Sequence, residues 1–405
     1  MIEIERFFEI QKNLTSSISL DFQRYLMKEI DFNERLIGIT GARGTGKTTL
    51  LIQHLKKEFS SPEECLYISA DNIYTVSQGL FNIAEYFFKY GGKVLLVDEI
   101  HKYPQWAQEL KNIYDSFPGK KVVFSGSSML DIVKGKADLS RRTLIYKLKG
   151  LSFREFLEIS GQIKLEPLEL QDIIENHSAA AADIAGRIEV LKHFKDYLKK
   201  GFYPYFIESK KEENYFNKLN NALEKILYED IPSVFNIKVS TVPLLKKIIY
   251  LVASSHPFQI NVDNLSKELG ASREYMSLYI EYLEKAGIFT LLYPGSSGKS
   301  PIRKPQKVYL ENTNLVHLIH GLTGFEYEIG TIREIFFVNQ VKHKHTIFGS
   351  TQADFYVNDR YTFEVGGKSK RAGQVDLSRE EYIVKDGIET GARHVIPLWL
   401  FGMMY

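Results

Sequence analysis

The spacing of apolar and polar positions changes character partway along this chain. Over the first 150 residues, short continuous apolar runs alternate with stretches of helical spacing. RLIGIT (35–40), ECLYISA (64–70), KVLLVDE (93–99), KVVFSGSS (121–128) and TLIYKLKG (143–150) read as strands. Between them, KTTLLIQHLKKEF (47–59), VSQGLFNIAEYFFKYG (76–91) and WAQELKNIYDSF (106–117) place apolar residues at helical intervals. Runs such as VLLV and VVF are apolar on both faces, as a sheet covered by helices on each side requires. The pattern predicts a parallel α/β sheet. After Leu151 the rhythm turns helical through 152–235, with a hinge inside SAAAADIAGRIEVLKHFKDYLKK and a break at Gly201–Pro204. Residues 244–293 predict a compact helical unit ending in a hairpin, and 331–405 return to mixed α/β. No internal repeat with a 20–50-residue period is present.

Composition narrows the class without naming a chemistry. A chain of 405 residues exceeds one ordinary core, and 44% hydrophobic with 25% charged residues is an average globular balance. The formal charge of +2 gives no whole-molecule field for nucleic acid or membrane, so any such contact needs a local patch. The single cysteine, Cys65, excludes an intramolecular disulfide framework and a four-cysteine zinc site. The opening MIEIERFFEI mixes acids into its apolar residues, unlike a signal peptide. No run approaches the roughly 18 apolar residues of a membrane span. A cytoplasmic, soluble protein with no membrane partner is expected.

The chemistry concentrates in GARGTGKT at 41–48, which fits G-x-x-x-x-G-K-[ST] at every fixed position. An apolar strand enters this loop and a helix leaves it. Gly41, Gly44 and Gly46 let the backbone curl so that successive N–H groups aim at phosphate oxygens, at a helix N-terminus whose dipole favours an anion. Lys47 is expected to reach the β/γ-phosphates, and the Thr48 hydroxyl to ligate Mg²⁺. The whole loop, Gly41, Ala42, Arg43, Gly44, Thr45, Gly46, Lys47, Thr48 and Thr49, is expected to line ATP.

Four apolar residues, Val94 to Val97, lead into Asp98 and Glu99. A carboxylate at the end of a buried strand suits a hold on Mg²⁺, the role expected of Asp98. Glu99 is placed to polarise an attacking water, or alternatively to cap the next turn. Ser125 and Ser127 close the following strand, where a hydroxyl can touch the γ-phosphate or simply stabilise a turn. Arg141 and Arg142 precede the fifth strand. Either could supply transition-state charge, in cis or to a neighbour in a homo-oligomer, or be a solvated surface pair. GTP selectivity has no support, because the only Asn-Lys, Asn217–Lys218, is followed by Leu219 and Asn220.

GITGARGTGKTTLL, LLVDEIHKYPQW, VVFSGSSMLDIVKG and LSRRTLIYKLKGLSFREFL are together similar to a group of prokaryotic, archaeal-type AAA+ ATPases with an uncharacterised C-terminal region. The resemblance is strongest over 36–156 and extends to GFYP at 201–204. It implies Lys47 as the Walker A lysine, Asp98 and Glu99 as the Walker B acids, Gly126, Ser127 and Ser128 as a sensor-like segment, and Arg141 or Arg142 as the arginine that follows. It implies an ATPase fold but no substrate beyond the nucleotide.

The second half adds two further readings. FQINVDNLSKELGASREYMSLYIEYLEKAGIFTLLYP (258–294) has helix-turn-helix spacing about Gly270–Ala271, and GSSGKSPIRKPQK (295–307) forms a candidate wing bearing Lys299, Arg303, Lys304 and Lys307. Against DNA contact, the second helix carries Glu274, Glu281 and Glu284 beside Arg273 and Lys285. Winged helices in AAA+ proteins also serve as lids or docking units. Near the C-terminus, Glu334 on a helix with Asp354 and Glu364 on strands resembles the PD-(D/E)xK arrangement of restriction-endonuclease-like folds. The lysine position there is Gly366, and Lys368 reaches back only if the strand bends, so an inactive binding or docking fold is expected. His343 and His345, two apart, would share one face of a strand but lack a third ligand. The tail IPLWLFGMMY reads as a terminal core strand.

The expected organisation is therefore α/β: 1–155 an AAA+ P-loop core, 156–240 helical, 241–312 a winged helix, and 313–405 a degenerate restriction-endonuclease-like domain. The expected function is Mg²⁺-dependent ATP hydrolysis coupled to domain rearrangement, with DNA as a candidate partner. Two alternatives stay open: a nucleotide-gated binding module with little turnover, and an ATP-dependent nuclease.

Overall fold

The computed structural model describes residues 3–127, 129, 139, 141–254, 258–259, 262–295, 304–350, 353–370 and 380–405. Ser128, Lys299 and Arg303 lie outside the described residues. The chain divides into two compact units, Met1–Lys149 and Gly150–Tyr405.

In the first unit, α1 (Ile4–Ser17) and α2 (Leu26–Glu29) precede β1 (Leu36–Thr40). There follow α3 (Lys47–Glu58), β2 (Cys65–Ser69), α4 (Ile73–Gln78), α5 (Leu80–Lys89), β3 (Val94–Asp98), α6 (Trp106–Ser116), β4 (Lys121–Gly126) and β5 (Leu144–Lys147). The five strands form one parallel sheet in the order β2-β3-β4-β1-β5. The doubly apolar runs behave as expected: β1 and β3 are buried at every position. Leu66, Leu95, Val97 and Phe124 from the sheet share one core with Phe7 of α1, Ile83 and Phe87 of α5, and Leu110 and Ile113 of α6. Each such side chain contributes about 1.5–3 kcal/mol when fully buried.

The single helix expected over 76–91 is two. Asn72 caps α4 by accepting the Tyr74 N–H at 2.9 Å, and the Tyr103 hydroxyl accepts the Leu80 N–H that opens α5 at 3.1 Å. Two separate N-terminal acceptors make two helices from one apolar period.

The N-terminal segment closes both edges of the sheet. On edge strand β2, the Gln11 amide accepts from Tyr67 N at 2.7 Å and donates to Cys65 O at 3.1 Å. On the other edge, the Tyr25 hydroxyl accepts from Lys149 N at 3.2 Å and donates to Lys147 O at 3.1 Å. Each side chain substitutes for the missing strand partner, which removes a site for edge pairing with another chain.

The second unit opens with helices: α7 (Phe153–Ile159), α8 (Leu170–Arg187), α9 (Val190–Lys200), α10 (Glu212–Lys225), α11 (Ile231–Phe235) and α12 (Val242–Ser254). The hinge expected in the alanine-rich stretch falls at Ile188–Glu189, between α8 and α9. Next come β6 (Phe258–Gln259), α13 (Val262–Leu269), α14 (Arg273–Lys285), β7 (Phe289–Leu292) and β8 (Lys307–Leu310). These three strands pair antiparallel in the order β6-β8-β7. Then α15 (Thr313–Thr323) and α16 (Ile329–Val341) lead into β9 (Ile347–Gly349), β10 (Phe355–Val357), β11 (Tyr361–Gly366), β12 (Glu381–Lys385) and β13 (Val395–Pro397). This second five-stranded sheet is mixed: β9, β10 and β11 run antiparallel, while β11, β12 and β13 run parallel.

The GFYP segment serves this unit's core. The Asn314 carboxamide oxygen accepts from Phe202 N at 2.8 Å and from the Tyr215 hydroxyl at 2.6 Å, while its nitrogen donates to Leu198 O at 2.9 Å and Tyr197 O at 3.2 Å. One buried amide thereby satisfies four groups that would otherwise be stranded. The tail is core, as expected, but only Val395–Pro397 is strand; Leu398–Met403 closes as a buried 3-10 helix. Among the described residues, no helix is long and apolar enough to cross a membrane.

Candidate functional site

The site is built at the C-terminal ends of β1, β3 and β4, where parallel α/β sheets open a crevice. β4 lies between β1 and β3, so the loop after β1 and the acids after β3 flank its last residues. A Cβ at Gly41 would collide with the Leu148 carbonyl, so only glycine lets the chain leave β1 against β5's exit. Gly46 opens α3 at φ 95, a left-handed conformation that other residues adopt at a cost. α3 then presents its first N–H groups, which lack intrahelical acceptors, toward the loop.

Lys47 is buried at 5% exposure, and its ammonium donates to Gly41 O and Ala42 O, both at 3.0 Å. The Thr45 hydroxyl closes the loop on Ala42 O at 2.9 Å. Arg43 is half-buried, Gly44 and Thr49 are exposed, and Thr48 begins the helix beside the sheet.

Asp98 is the electrostatic centre. Its Oδ2 accepts from the Thr48 hydroxyl at 2.6 Å and from the Tyr67 hydroxyl at 3.0 Å, and its Oδ1 accepts from the Ser125 hydroxyl. All three donors are neutral, and among the described residues no lysine or arginine pairs with this 3%-exposed carboxylate. Burial, reinforced by the Asp98 charge, pushes the Tyr67 hydroxyl far above its ordinary range, so it stays a protonated donor. Thr48 and Asp98 together offer closely spaced hard oxygen atoms, the donor type Mg²⁺ prefers, so these residues fit that ion.

Glu99 sits at φ 53, in the left-handed region. Its N–H donates to the Ser125 hydroxyl at 3.1 Å, and its carboxylate lies 3.3 Å from His101 Nε2. It begins the short 3-10 turn Ile100–Lys102, but its side chain makes no capping hydrogen bond, which argues against the capping alternative. Ser125 bridges Asp98 and the Glu99 backbone, a role that neither reading of that serine anticipated. Ser127 is buried immediately after β4.

Arg141 and Arg142 are not at this chain's phosphate loop. In register, Leu144 lies opposite Ile37 and Lys147 opposite Thr40, which puts residues 141–142 level with the start of β1. The loop begins past its end, about 15–20 Å away at ~3.3 Å per residue. Of the two ways an arginine could reach a γ-phosphate, this register favours supply to a neighbour over a role in cis. Arg142 is bound to Asp115, Nε at 3.0 Å and Nη2 at 3.3 Å, whereas Arg141 is exposed.

Near the second sheet, the three acids singled out by sequence are each matched to a lysine. Glu334 accepts from Tyr309 at 2.6 Å and from Lys307 at 3.2 Å, and burial raises its carboxyl above the usual range despite that lysine. Lys307 is therefore committed within the unit rather than offered as a wing cation. Lys370, which sequence reading passed over in favour of Lys368, lies 2.9 Å from Glu364 and 3.7 Å from Asp354. Asp354 also accepts the Val365 N–H at 2.8 Å. His343 and His345 sit in the turn after α16, not on a strand. His343 packs on the Tyr405 ring at 4.2 Å, and His345 faces the Asn358 amide at 3.0 Å.

A phosphate-type loop followed by a strand-end acid pair on this sheet defines a P-loop nucleotide-binding type of domain. Residues 33–157 match the family described as an AAA domain, and residues 191–326 match a family described only as a domain of unknown function. An uncharacterized protein of Methanocaldococcus jannaschii is 29% identical over 287 residues, 68% of this chain and 60% of that protein, so the match spans less than two thirds of that relative's length. Among solved structures, the Aeropyrum pernix ORC1 protein in complex with DNA overlays at TM-score 0.32 and 12% identity, covering 80% of this chain and 94% of that one. AMPPCP-bound DnaA from Aquifex aeolicus overlays at TM-score 0.26 and 17% identity, covering 70% and 88%.

Proposed function

We propose that the chain binds ATP with Mg²⁺ at this site and hydrolyses it, and that nucleotide state repositions the segments beyond Gly150. The observation carrying this reading is a buried Asp98 whose partners, among the described residues, are neutral hydroxyls, one of them Thr48 of the phosphate loop at 2.6 Å. Hydroxyl donors orient such a carboxylate without bringing a counter-charge that would compete with an external cation.

In this reading the backbone N–H groups of residues 44–48 receive the phosphate oxygens at the α3 N-terminus. Lys47 exchanges the Gly41 and Ala42 carbonyls for phosphate oxygens. Thr48 and Asp98 would hold Mg²⁺, which would supply positive charge to the phosphates when bound. Glu99, oriented by its own backbone bond to Ser125, polarises the attacking water, and Ser127 faces the γ-phosphate. Arg141, exposed and remote from its own loop, serves a neighbouring copy in a homo-oligomer, while Arg142 is held by Asp115 of its own unit.

For the remainder, 156–240 acts as a helical connector, 241–312 as a winged helix and 313–405 as a docking domain. Glu334, paired to Lys307, is taken out of any metal-holding set with Asp354 and Glu364, which supports docking over cleavage. DNA contact would rest on Lys304, which is exposed, and on residues of the 295–307 loop.

The test is ATP turnover with Mg²⁺, with and without chelator, for wild type and Glu99→Gln. Turnover in wild type that chelator abolishes and Glu99→Gln suppresses supports hydrolysis. Equal, negligible rates in both proteins overturn it.

A further inference from the structure

Arg24 lies in a segment with no recognisable motif, yet the residue is buried at 5% exposure and its guanidinium reaches the phosphate loop. Nη1 donates to Thr45 O at 2.5 Å and Nη2 donates to Lys149 O at 2.8 Å. A rigid planar fork can hold two carbonyls at once in a way that a flexible ammonium does not.

The first contact bears on phosphate binding through peptide geometry. In a trans peptide the C=O and the following N–H point in opposite directions. Holding the Thr45 carbonyl toward Arg24 therefore turns the Gly46 N–H away from Arg24, the orientation fixed further by Gly46's left-handed backbone. That N–H is one of the donors assigned to phosphate above. If the Thr45–Gly46 peptide flipped, the loop would present a carbonyl where it needs a donor.

The second contact bears on what the loop is connected to. Lys149 is the last residue of the first unit. The next side chain, Tyr25, holds Lys147 O and Lys149 N, and Leu148 N continues the β1 ladder by donating to Thr40 O at 2.7 Å. The loop's first residue, Gly41, is packed against the Leu148 carbonyl. α3 grips the same N-terminal segment from its other side: Gln53 donates to Ser19 O at 2.8 Å and Phe22 O at 2.7 Å, and Lys56 to Thr15 O at 3.0 Å and Ile18 O at 2.7 Å. The phosphate loop, its helix and the covalent exit toward Gly150 are thus tied to one short stretch of chain.

The geometry points to Arg24 as a positioning residue that sets the phosphate loop for nucleotide and transmits its occupancy to residues 147–149. This rests on the nucleotide site proposed above. Calorimetry with ATP and ADP on the full chain, for wild type, Arg24→Gln and Arg24→Lys, reads the first half. Arg24→Gln is expected to weaken both nucleotides at least tenfold, with Arg24→Lys recovering part of the loss through a single carbonyl. In steady-state turnover the defect should fall on KM more than on kcat. Amide hydrogen exchange reads the second half: nucleotide should slow exchange at Leu148 and Lys149 in wild type and fail to do so in Arg24→Gln. No nucleotide uptake by wild type would overturn the ATP site itself and this inference with it. Wild-type uptake with Arg24→Gln binding within twofold, or with protection at 148–149 retained, would overturn the role of Arg24 alone. A variant that only unfolds at lower temperature, while its folded form binds normally, would also overturn it.

Discussion

Each unit holds a carboxylate that accepts from a tyrosine: the buried Asp98 from Tyr67 at 3.0 Å, and the half-buried Glu334 from Tyr309 at 2.6 Å. The difference lies in the other partners. Asp98 is completed by the hydroxyls of Thr48 and Ser125, which orient it without cancelling its charge. Glu334 is completed by the Lys307 ammonium, which cancels the charge inside the unit. The same polar pair is thus prepared for an external cation in one unit and closed off in the other. A buried acid signals a ligand site only when its neighbours leave its charge standing.

The widest break in this comparison should come from the reactive side. Glu99→Gln is expected to lower ATP turnover by about 10²–10⁴-fold while nucleotide binding persists, a separation that single-turnover kinetics beside calorimetry would reveal. In the closed unit the matching experiment is Asn314→Ala, which strands the Phe202 N–H and the Tyr215 hydroxyl without acceptors. A loss of about 3–4 kcal/mol in urea unfolding is expected.

Acid sensitivity sharpens the comparison, because each unit holds a histidine whose charged form is disfavoured by burial. Burial lowers His54, stacked 3.6 Å from Phe32, to about 4, and burial likewise lowers His317 to about 4. The unfolded chain takes up these protons near pH 6.5 and the folded chain does not. Stability is therefore full above pH 6.5 and declines as pH falls toward about 4. The His54 contribution is on the order of 3 kcal/mol. His54→Gln should flatten the first unit's acid transition, followed by tryptophan fluorescence of Trp106, and leave that of Trp399 unchanged. The smallest expected effect is Tyr67→Phe, which removes one of three donors to Asp98. A cost of about 1 kcal/mol in stability is expected, with Mg²⁺ dependence of turnover shifted to higher concentration. A Tyr67→Phe protein indistinguishable in both measurements would mean that the tyrosine contact does not tune Asp98.

The phosphate loop and the acid pair were legible because their chemistry is local in sequence. A loop between a strand and a helix must draw its glycines, lysine and threonine from consecutive positions. Val94 to Val97 likewise announce a buried strand that ends at Asp98. Legibility fell away where partners come from different strands. Nothing in ECLYISA marks Tyr67 as a donor to Asp98; that follows from β2 lying beside β3 in register, Ser69 opposite Asp98. Lys370 was missed because an alternation rule sends attention to Gly366 and Lys368, while the chain after β11 turns a later lysine back onto Glu364. The two arginines were correctly noticed as charged, but sequence order could not say which end of the sheet they occupy.

The sequence alone determined the alternation of apolar strands and helices, the curled loop at 41–48 and the acids at the end of the third strand, because each is set by neighbours within a few residues. Only the tertiary structure decided that Gln11 and Tyr25 close the sheet edges, that Arg24 braces the loop, that Asp98 is met by neutral hydroxyls while Glu334 is paired to Lys307, and that Arg141 stands far from its own phosphate loop. Those outcomes depend on strand order and on contacts between residues up to 125 positions apart, such as Arg24 with Lys149. Local spacing carries no record of such encounters; packing the sheet between its helices creates them.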